Sequence, residues 1–237
     1  MSAFKYRHFQ REIILQCVRW YCKYGISYRD LEEMMEERGV RVDHTTIYRW
    51  VQRYAPELEK RMRWYVKFSS YRSWRVDETY IKVKGKWKYL YRAIDKDGRT
   101  IDFYLSHTRS AKAAKRFLQK AIKGFKDWQQ PYVINTDQNA SYRKAIKQLK
   151  EEKRLEESVE HRKVKYLNNI VEADHGKLKR LIKPTLGFKS MKTAYATIKG
   201  FEVMRMFKKD QFKFWMYGRE SMLMGEISLI DRQFDYY

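Results

Sequence analysis

The sequence predicts an α/β protein in which a small helical domain precedes a mixed β-sheet with flanking helices. Up to about residue 60, apolar residues recur at the spacing of helices. From Trp74 onwards, alternating apolar and polar residues indicate strands, which are followed by alternating helical and strand patterns. A chain of 237 residues is long enough for one small and one medium domain.

Three helices are predicted in the N-terminal part. Ser27 caps the second helix, Gly39 ends it, and Asp43 caps the third. The apolar side of the third helix consists of Ile47, Trp50, Val51 and Tyr54, and its open side carries Thr45, Thr46, Arg49 and Arg53. This is the arrangement of a helix-turn-helix, whose third helix would lie in the major groove of DNA and use those four open-side residues. A three-helix bundle that only packs is the alternative, because helical hairpins with basic faces are common.

Three antiparallel strands are predicted next, joined by turns at Lys84-Gly85 and at residues 95–98. Helices and strands then alternate. The predicted strands are Trp74–Val83, Lys86–Ile94, Arg99–Ser106, Tyr132–Thr136 and Val159–Val164. The predicted helices are Ser110–Lys123, Ser141–Leu149, Asn168–Leu181 and Ser190–Phe207.

The helical pattern breaks at residues 61–72, which are therefore predicted to be a linker. This divides the chain into an N-terminal DNA-binding domain at 1–60, a second domain at 73–207 and a C-terminal tail at 208–237. The tail contains an aromatic group between Phe212 and Tyr217. Such a group either pairs protomers or stacks on unpaired bases, and we favour a contact between protomers.

The charge of the chain indicates a polyanionic partner. With 52 Lys and Arg against 29 Asp and Glu, the net charge is +23, which attracts nucleic acid, although ribosomal and membrane-surface proteins can be as basic. No apolar run approaches the ~18 residues of a membrane span, and the N-terminus lacks the apolar core of a signal peptide. We therefore expect a soluble, intracellular protein without a membrane partner. Cys17 and Cys22 lie five apart on a helix, about 140° from each other, which predicts buried thiols and disfavours a disulfide or a shared metal.

Three acidic residues stand where the predicted elements would bring them to one edge of the sheet. Asp77 lies in the first strand, Asp137 directly follows a strand, and Glu172 lies near the start of a helix. Converging carboxylates bind divalent cations, and Mg²⁺ prefers oxygen ligands. Strand alternation places Asp77 and Glu78 on opposite faces, so only one of the two is expected to join the site, and periodicity alone allows either.

Thirty-four residues separate Asp137 from Glu172, and Lys179 follows Glu172 by seven. This placement resembles the DDE transposases and retroviral integrases, which share an RNase H-like fold. Three segments, Asp77–Asp95, Lys165–Asn169 and Gly187–Ala194, are similar to short transposases of bacterial insertion sequences that are encoded by a single reading frame. The resemblance covers the chain from about Phe4 to about Phe207.

The resemblance implies a DNA transposase with an RNase H-like catalytic domain. Such an enzyme binds the terminal inverted repeats of its element, cleaves the ends and joins the freed 3′-hydroxyls to target DNA. Asp77, Asp137 and Glu172 would be the catalytic residues and would hold two Mg²⁺ ions, with Mn²⁺ as a substitute. His175 would contact DNA or support a metal ligand, and Lys179 would contact DNA.

The resemblance further implies double-stranded DNA as the partner, both at the element ends and at the target. It also implies a homo-oligomer, at least a dimer, in the bacterial cytoplasm and associated with the nucleoid. Helix Ser190–Phe207 would close the fold against the sheet. A non-catalytic DNA-binding regulator derived from a transposase is the alternative. A regulator has no need for clustered acids that repel one another, so the three acids and Lys179 favour the enzyme.

Overall fold

The computed structural model describes residues 4, 8–66, 72–123, 125, 127–216, 218 and 221–235. Within them the chain forms two compact units, one made of the residues up to Tyr65 and from Leu178 onwards, the other of Val66–Lys177. The α-helices are α1 (Arg11–Lys23), α2 (Tyr28–Glu36), α3 (His44–Val66), α4 (Ala111–Ile122), α5 (Ala140–Glu151), α6 (Asn169–Ile182), α7 (Met191–Lys208) and α8 (Met222–Asp235). The strands are β1 (Ser73–Val83), β2 (Lys86–Asp95), β3 (Thr100–Ser106), β4 (Val133–Asn135) and β5 (Glu160–Arg162). No helix in these ranges is both long and apolar enough to cross a membrane.

The caps of the N-terminal helices follow the sequence prediction. Ser27 Oγ accepts a hydrogen bond from Asp30 N at 3.1 Å, and Ser27 N donates to Asp30 Oδ2 at 2.7 Å, which together form a capping box at the start of α2. Gly39, with φ of +75°, follows the end of α2 in the left-handed region that glycine adopts without strain. Asp43 Oδ1 accepts from Thr45 N at 2.7 Å at the start of α3.

Helix α3, which has 23 residues, is longer than the sequence predicted. Helix α3 continues to Val66 and so runs through the first half of the segment 61–72, in which the sequence predicted a linker. Residues 67–71 lie outside the described part of the chain. Ion pairs between residues four apart, Arg61 with Glu57 and Arg63 with Glu59, support this extension of the helix.

Helix α7 belongs to the same unit as α1–α3 and packs on α1, whereas the sequence analysis placed it against the sheet. Gly200 brings the backbone of α7 close to Cys22 and Ala55: a Cβ at this position would lie 2.4 Å from Cys22 Sγ and 2.8 Å from Ala55 Cβ. Cys22 is buried and free, as the sequence predicted, and so is Cys17. The small residue at 200 therefore lets three helices meet closely.

The C-terminal segment is also part of this unit. Glu226 on α8 is buried and pairs with Arg19 Nη1 at 3.2 Å and with Lys23 Nζ at 2.7 Å, both on α1. Of the aromatic group expected at a protomer contact, Phe212 is fully buried, Phe214 is 78% exposed, and Tyr217 lies outside the described residues. Part of that group therefore belongs to the core of its own unit.

The sheet of the second unit has the strand order β3-β2-β1-β4-β5. Strands β1, β2 and β3 are antiparallel neighbours, whereas β4 runs parallel to β1 and β5 runs parallel to β4. This is the RNase H-like order. Each strand differs from its predicted bounds by at most two residues at either end, because the turns and the apolar alternation marked the ends correctly.

Helices α4 and α5 cover one face of this sheet and form the main core with it. Alternate strand residues supply the sheet side of the core, as the period of two requires. The largest fully buried members of this cluster are Trp74, Tyr91, Phe117 and Tyr142.

We expect Gly200→Ala to destabilise the protein by about 1–3 kcal/mol, because the new methyl group would overlap the buried Cys22 and Ala55. Gly176→Ala is the matched control. Gly176 lies in α6 with open space around its would-be Cβ, so alanine should stabilise the protein by about 0.5–1 kcal/mol through its higher helix propensity. Chemical denaturation of both variants measures the difference, and an equal gain in stability would contradict the close packing at residue 200.

Candidate active site

The candidate site lies where one neighbour of the central strand ends. Strand β4 pairs with β1 only from Ser73 to Arg75, which lies opposite Asn135, while β1 continues to Val83. Beyond Arg75 the β4 side of β1 therefore has no strand beside it among the described residues. Asp137 follows β4 by two residues, so it comes to lie at this open edge, next to the part of β1 that carries Asp77.

Three carboxylates meet at this edge. Asp77, Glu78 and Asp137 each offer an oxygen, and these three atoms lie within 4.8 Å of one another. Glu78 therefore lies closer to Asp77 and Asp137 than strand alternation alone indicated. Three hard oxygen donors at this spacing fit a divalent cation such as Mg²⁺ or Mn²⁺.

Glu78 is the most enclosed member of this group, with a side chain only 2% exposed. The Tyr142 hydroxyl of α5 donates a hydrogen bond to Glu78 Oε2, and the Arg109 guanidinium pairs with Glu78 Oε1. Arg109 Nη2 also lies 3.7 Å from Asp137 Oδ2, so it partly neutralises two acids. No pattern in the sequence pointed to Arg109, which stands in the loop before α4.

Asp77 is the acid that the cluster perturbs most clearly. Burial, and then the nearby charge of Glu78, raise the pKa of Asp77 to about 7, with smaller contributions from Asp137 and Glu172. Its backbone neighbour in β2 is Arg92, but the guanidinium of Arg92 pairs with another carboxylate, as described below. A carboxyl with so high a pKa is one that gains from a bound cation, because the cation would favour the charged form.

Glu172 lies outside this close group. Its side chain is exposed on the first turn of α6 and contributes no atom to the 4.8 Å cluster, although its charge is felt by Asp77. The structure therefore brings Asp77 and Asp137 together as predicted, with Glu78 in addition, and leaves Glu172 at the rim of the site.

Two buried contacts fix the start of α6 on the sheet. Asn135 Nδ2 of β4 donates to Asn168 Oδ1 at 2.7 Å, directly before α6. Six residues further, in α6, Asp174 Oδ2 lies 2.5 Å from Arg92 Nη2, and both side chains are almost fully buried. Glu172 stands between these two anchors, so they set where its carboxylate can move. The Asp174 carboxylate is therefore committed to Arg92 and does not join the acidic cluster.

His175 is buried rather than exposed. Its Nδ1 lies 3.7 Å from Asp77 Oδ2, and its side chain is 7% exposed. Of the two roles considered for His175, this position argues against a direct DNA contact and supports a positioning role beside Asp77. Lys179, in contrast, is exposed on α6.

The candidate DNA-reading residues lie on the open side of α3. Thr45, Arg49 and Arg53 are exposed and Thr46 is half-buried, whereas the four predicted inward residues are all buried. The Thr45 hydroxyl is engaged by Asp43, and His44 Nδ1 lies 2.7 Å from Glu32 Oε2 on α2. Arg49 and Arg53 are one helical turn apart, so both guanidinium groups can reach the same stretch of a ligand.

The chain is similar to known transposases. The family model for the DDE domain of IS240-type transposases matches residues 71–211. The transposase for the insertion sequence-like element IS431mec of Staphylococcus aureus is 41% identical over 220 residues, which cover 92% of this chain and 94% of that protein. The transposase for insertion sequence element IS257 in transposon Tn4003, also from Staphylococcus aureus, is 40% identical over the same length.

Among solved structures, the catalytic core domain of HTLV-2 integrase in complex with magnesium aligns with a TM-score of 0.42 at 17% identity. The alignment covers 56% of this chain and 84% of that one. The family match covers more than half of the chain, and the staphylococcal transposases match nearly its whole length. The chain therefore belongs to the DDE transposases of bacterial insertion sequences, enzymes of metal-dependent DNA cleavage and strand transfer.

Proposed function

We propose that this transposase cleaves the ends of its own insertion sequence at the sheet edge described above and joins the freed 3′-hydroxyls to target DNA there. The observation that carries the proposal is the meeting of Asp77 and Asp137 at an edge where, among the described residues, no strand pairs with β1 on the β4 side. Such an edge is open to a phosphodiester, which a site covered by another strand would not be. Glu172, held nearby on α6, completes the acidic set.

Asp77, Asp137 and Glu172 are the residues we assign to the cations, with Mg²⁺ as the physiological ion and Mn²⁺ as its substitute. A pair of such ions, when bound, supplies positive charge to the entering and leaving oxygens of an in-line displacement. Glu78 adds a further carboxylate, but Tyr142 and Arg109 already occupy its oxygens. We therefore assign Glu78 a positioning role, in which it holds Arg109 beside Asp137. His175 orients Asp77 from the other side.

Recognition of the element ends is assigned to the N-terminal residues 1–60, with the open side of α3 in the major groove. Arg49 and Arg53 contact bases or phosphates there, and Thr45 and Thr46 lie nearest the start of the helix. The 73–207 segment carries the chemistry, and Lys179 holds a DNA phosphate beyond Glu172. The enzyme works on its terminal inverted repeats as a homo-oligomer, since two ends must be processed together.

Asp137→Asn should abolish cleavage and joining while leaving binding to end DNA nearly intact. The change removes a charged ligand at the site and leaves α3 untouched. The loss of activity should exceed the ~100-fold that removal of a supporting outer-shell group gives. Metal-dependent cleavage of labelled end DNA and a gel shift on the same DNA measure the two properties.

Asp97→Asn is the matched control for this change, because Asp97 is an exposed acid in the turn after β2 and should be dispensable. Retained cleavage by the Asp137 variant would contradict its assignment. Loss of cleavage in both variants would indicate damage to the fold.

Replacing Arg49 and Arg53 together by alanine should weaken binding to the terminal repeats by about tenfold or more, with a smaller loss on random DNA, because bidentate contacts to bases discriminate between sequences. Lys60→Ala is the control, since Lys60 is exposed on the same helix about two turns further on. A uniform loss on both DNAs would assign the two arginines to phosphates. No loss on either DNA would show that α3 is not the reading element.

Asp77→Asn should stabilise the metal-free protein, and more so at high pH. The folded-state pKa of Asp77 is raised from 3.8 to about 7, so its ionisation opposes folding increasingly as the pH rises between these values. Between pH 5.5 and pH 8, the wild type should lose about 2 kcal/mol relative to the variant. Denaturation in EDTA at both pH values measures this, with Asp97→Asn as control. A stability difference that does not change with pH would contradict the perturbed carboxyl.

A further inference from the structure

The turn between β1 and β2 extends beyond the rest of the sheet. Strand β3 pairs with β2 only from Tyr89 onwards, and β4 leaves β1 after Arg75. Among the described strands, the segment from Ile81 to Lys88 therefore has only its own two strands paired with each other. The two strands are joined by a tight turn, with left-handed φ angles of +50° at Lys84 and +72° at Gly85. The segment is therefore a two-stranded ribbon.

One face of this ribbon is aromatic and open. The register places Tyr80 opposite Tyr89 and Lys82 opposite Trp87, and these four residues share one face. The Tyr80 and Tyr89 ring centroids are 5.3 Å apart, and Trp87 is 62% exposed. We call this surface the hairpin face. The opposite face, in contrast, carries Ile81 and Val83, which are both buried.

The charge around the hairpin face is positive. Lys82 lies on it, and Lys84 and Lys86 are exposed at the turn beside it. A purely apolar partner would have to cover these ammonium groups, and a second copy of the same face would repel them. Three lysines around exposed rings match a polyanion that also offers flat apolar groups. A nucleic acid strand with unpaired bases has both properties, whereas the bases of an intact duplex are already stacked on each other.

The hairpin face is continuous with the acidic cluster. Glu78 precedes Tyr80 by two residues and shares its side of β1. The Arg109 guanidinium pairs with Glu78 Oε1, and its Nη2 lies 3.7 Å from Asp137 Oδ2, so Glu78 links this side of β1 to the acidic cluster. At about 3.3 Å per residue, Lys82 and its partner Trp87 lie roughly 13 Å along the strand from Glu78, a distance of a few nucleotides.

We propose that the hairpin face holds unpaired bases of the DNA strand that lies in the active site, with Trp87 and Tyr80 stacking on bases and the lysines at the turn contacting phosphates. This deepens the proposed function and rests on it for the identity of the strand. A strand cut or opened at the acidic cluster would be kept from re-pairing while its end is used.

Fluorescence anisotropy with the full chain in EDTA tests the proposal directly. The probes are a labelled oligothymidylate and a labelled duplex of random sequence at one fixed salt concentration. Trp87→Ala should weaken binding of the oligothymidylate by about tenfold, as expected for loss of one stacking ring, and binding of the duplex by less than about twofold. Trp87→Phe should restore most of the loss, because it keeps an aromatic ring.

Trp128→Ala is the matched control, because Trp128 is 66% exposed in the same unit but lies on a short helical turn before β4. It should leave both affinities within about twofold of the wild type. Since no cleavage occurs in EDTA, failure of the assigned chemistry would leave this result unchanged.

Three results would overturn the proposal. The first is an equal loss for the two tryptophan variants, or no loss for Trp87→Ala. The second is an equal loss on single-stranded and duplex DNA, which would indicate a general effect on binding. The third is that Trp87→Ala forms a smaller oligomer in sedimentation velocity but binds the oligothymidylate as tightly as the wild type. That result would make the hairpin face a contact between protomers.

Discussion

The burial and mutual repulsion of carboxylates at the open edge of β1 are the constraint on which the site depends. Strand β4 has only three residues, so the backbone stops supporting β1 shortly before Asp77 and delivers Asp137 to the gap. Asp77 is mostly buried there beside Glu78, and its pKa rises to about 7 as a result. Such an arrangement is unfavourable without a counter-charge. Bound cations would supply this counter-charge and would in turn attract a DNA phosphate.

Buried polar contacts hold this unfavourable arrangement in place. Arg92 and Asp174 form an almost fully buried pair that ties α6 to the sheet, and removing one partner would leave an uncompensated buried charge. Asn168, the residue directly before α6, accepts a hydrogen bond from Asn135 of β4. Tyr142 and Arg109 satisfy the oxygens of Glu78. Together these contacts fix the backbone around the acids, while Glu172 keeps an exposed side chain that can turn towards a bound cation.

Local patterns in the sequence were sufficient for most elements, and they failed where distant residues decide. Alternation and turn residues located β1 and β2 closely, and Ser27 and Asp43 marked real caps. Spacing and the family resemblance predicted that Asp77 and Asp137 lie close together. The reach of Glu78, the loop residue Arg109 and the burial of His175 depend on tertiary contacts that no local pattern encodes. The same holds for α7, whose buried residues fit a sheet or other helices equally well in sequence.

A crystal structure of the protein with Mn²⁺, located by its anomalous scattering, would show directly whether Asp77 and Asp137 hold a divalent cation. We expect an anomalous peak about 2.0–2.3 Å from carboxylate oxygens of both Asp77 and Asp137, with Glu172 turned towards it. A second group of suitable ligands, Glu32, Asp43 and His44, lies at the start of α3 and serves as an internal comparison. Manganese bound at that group, with none between Asp77 and Asp137, would contradict the account.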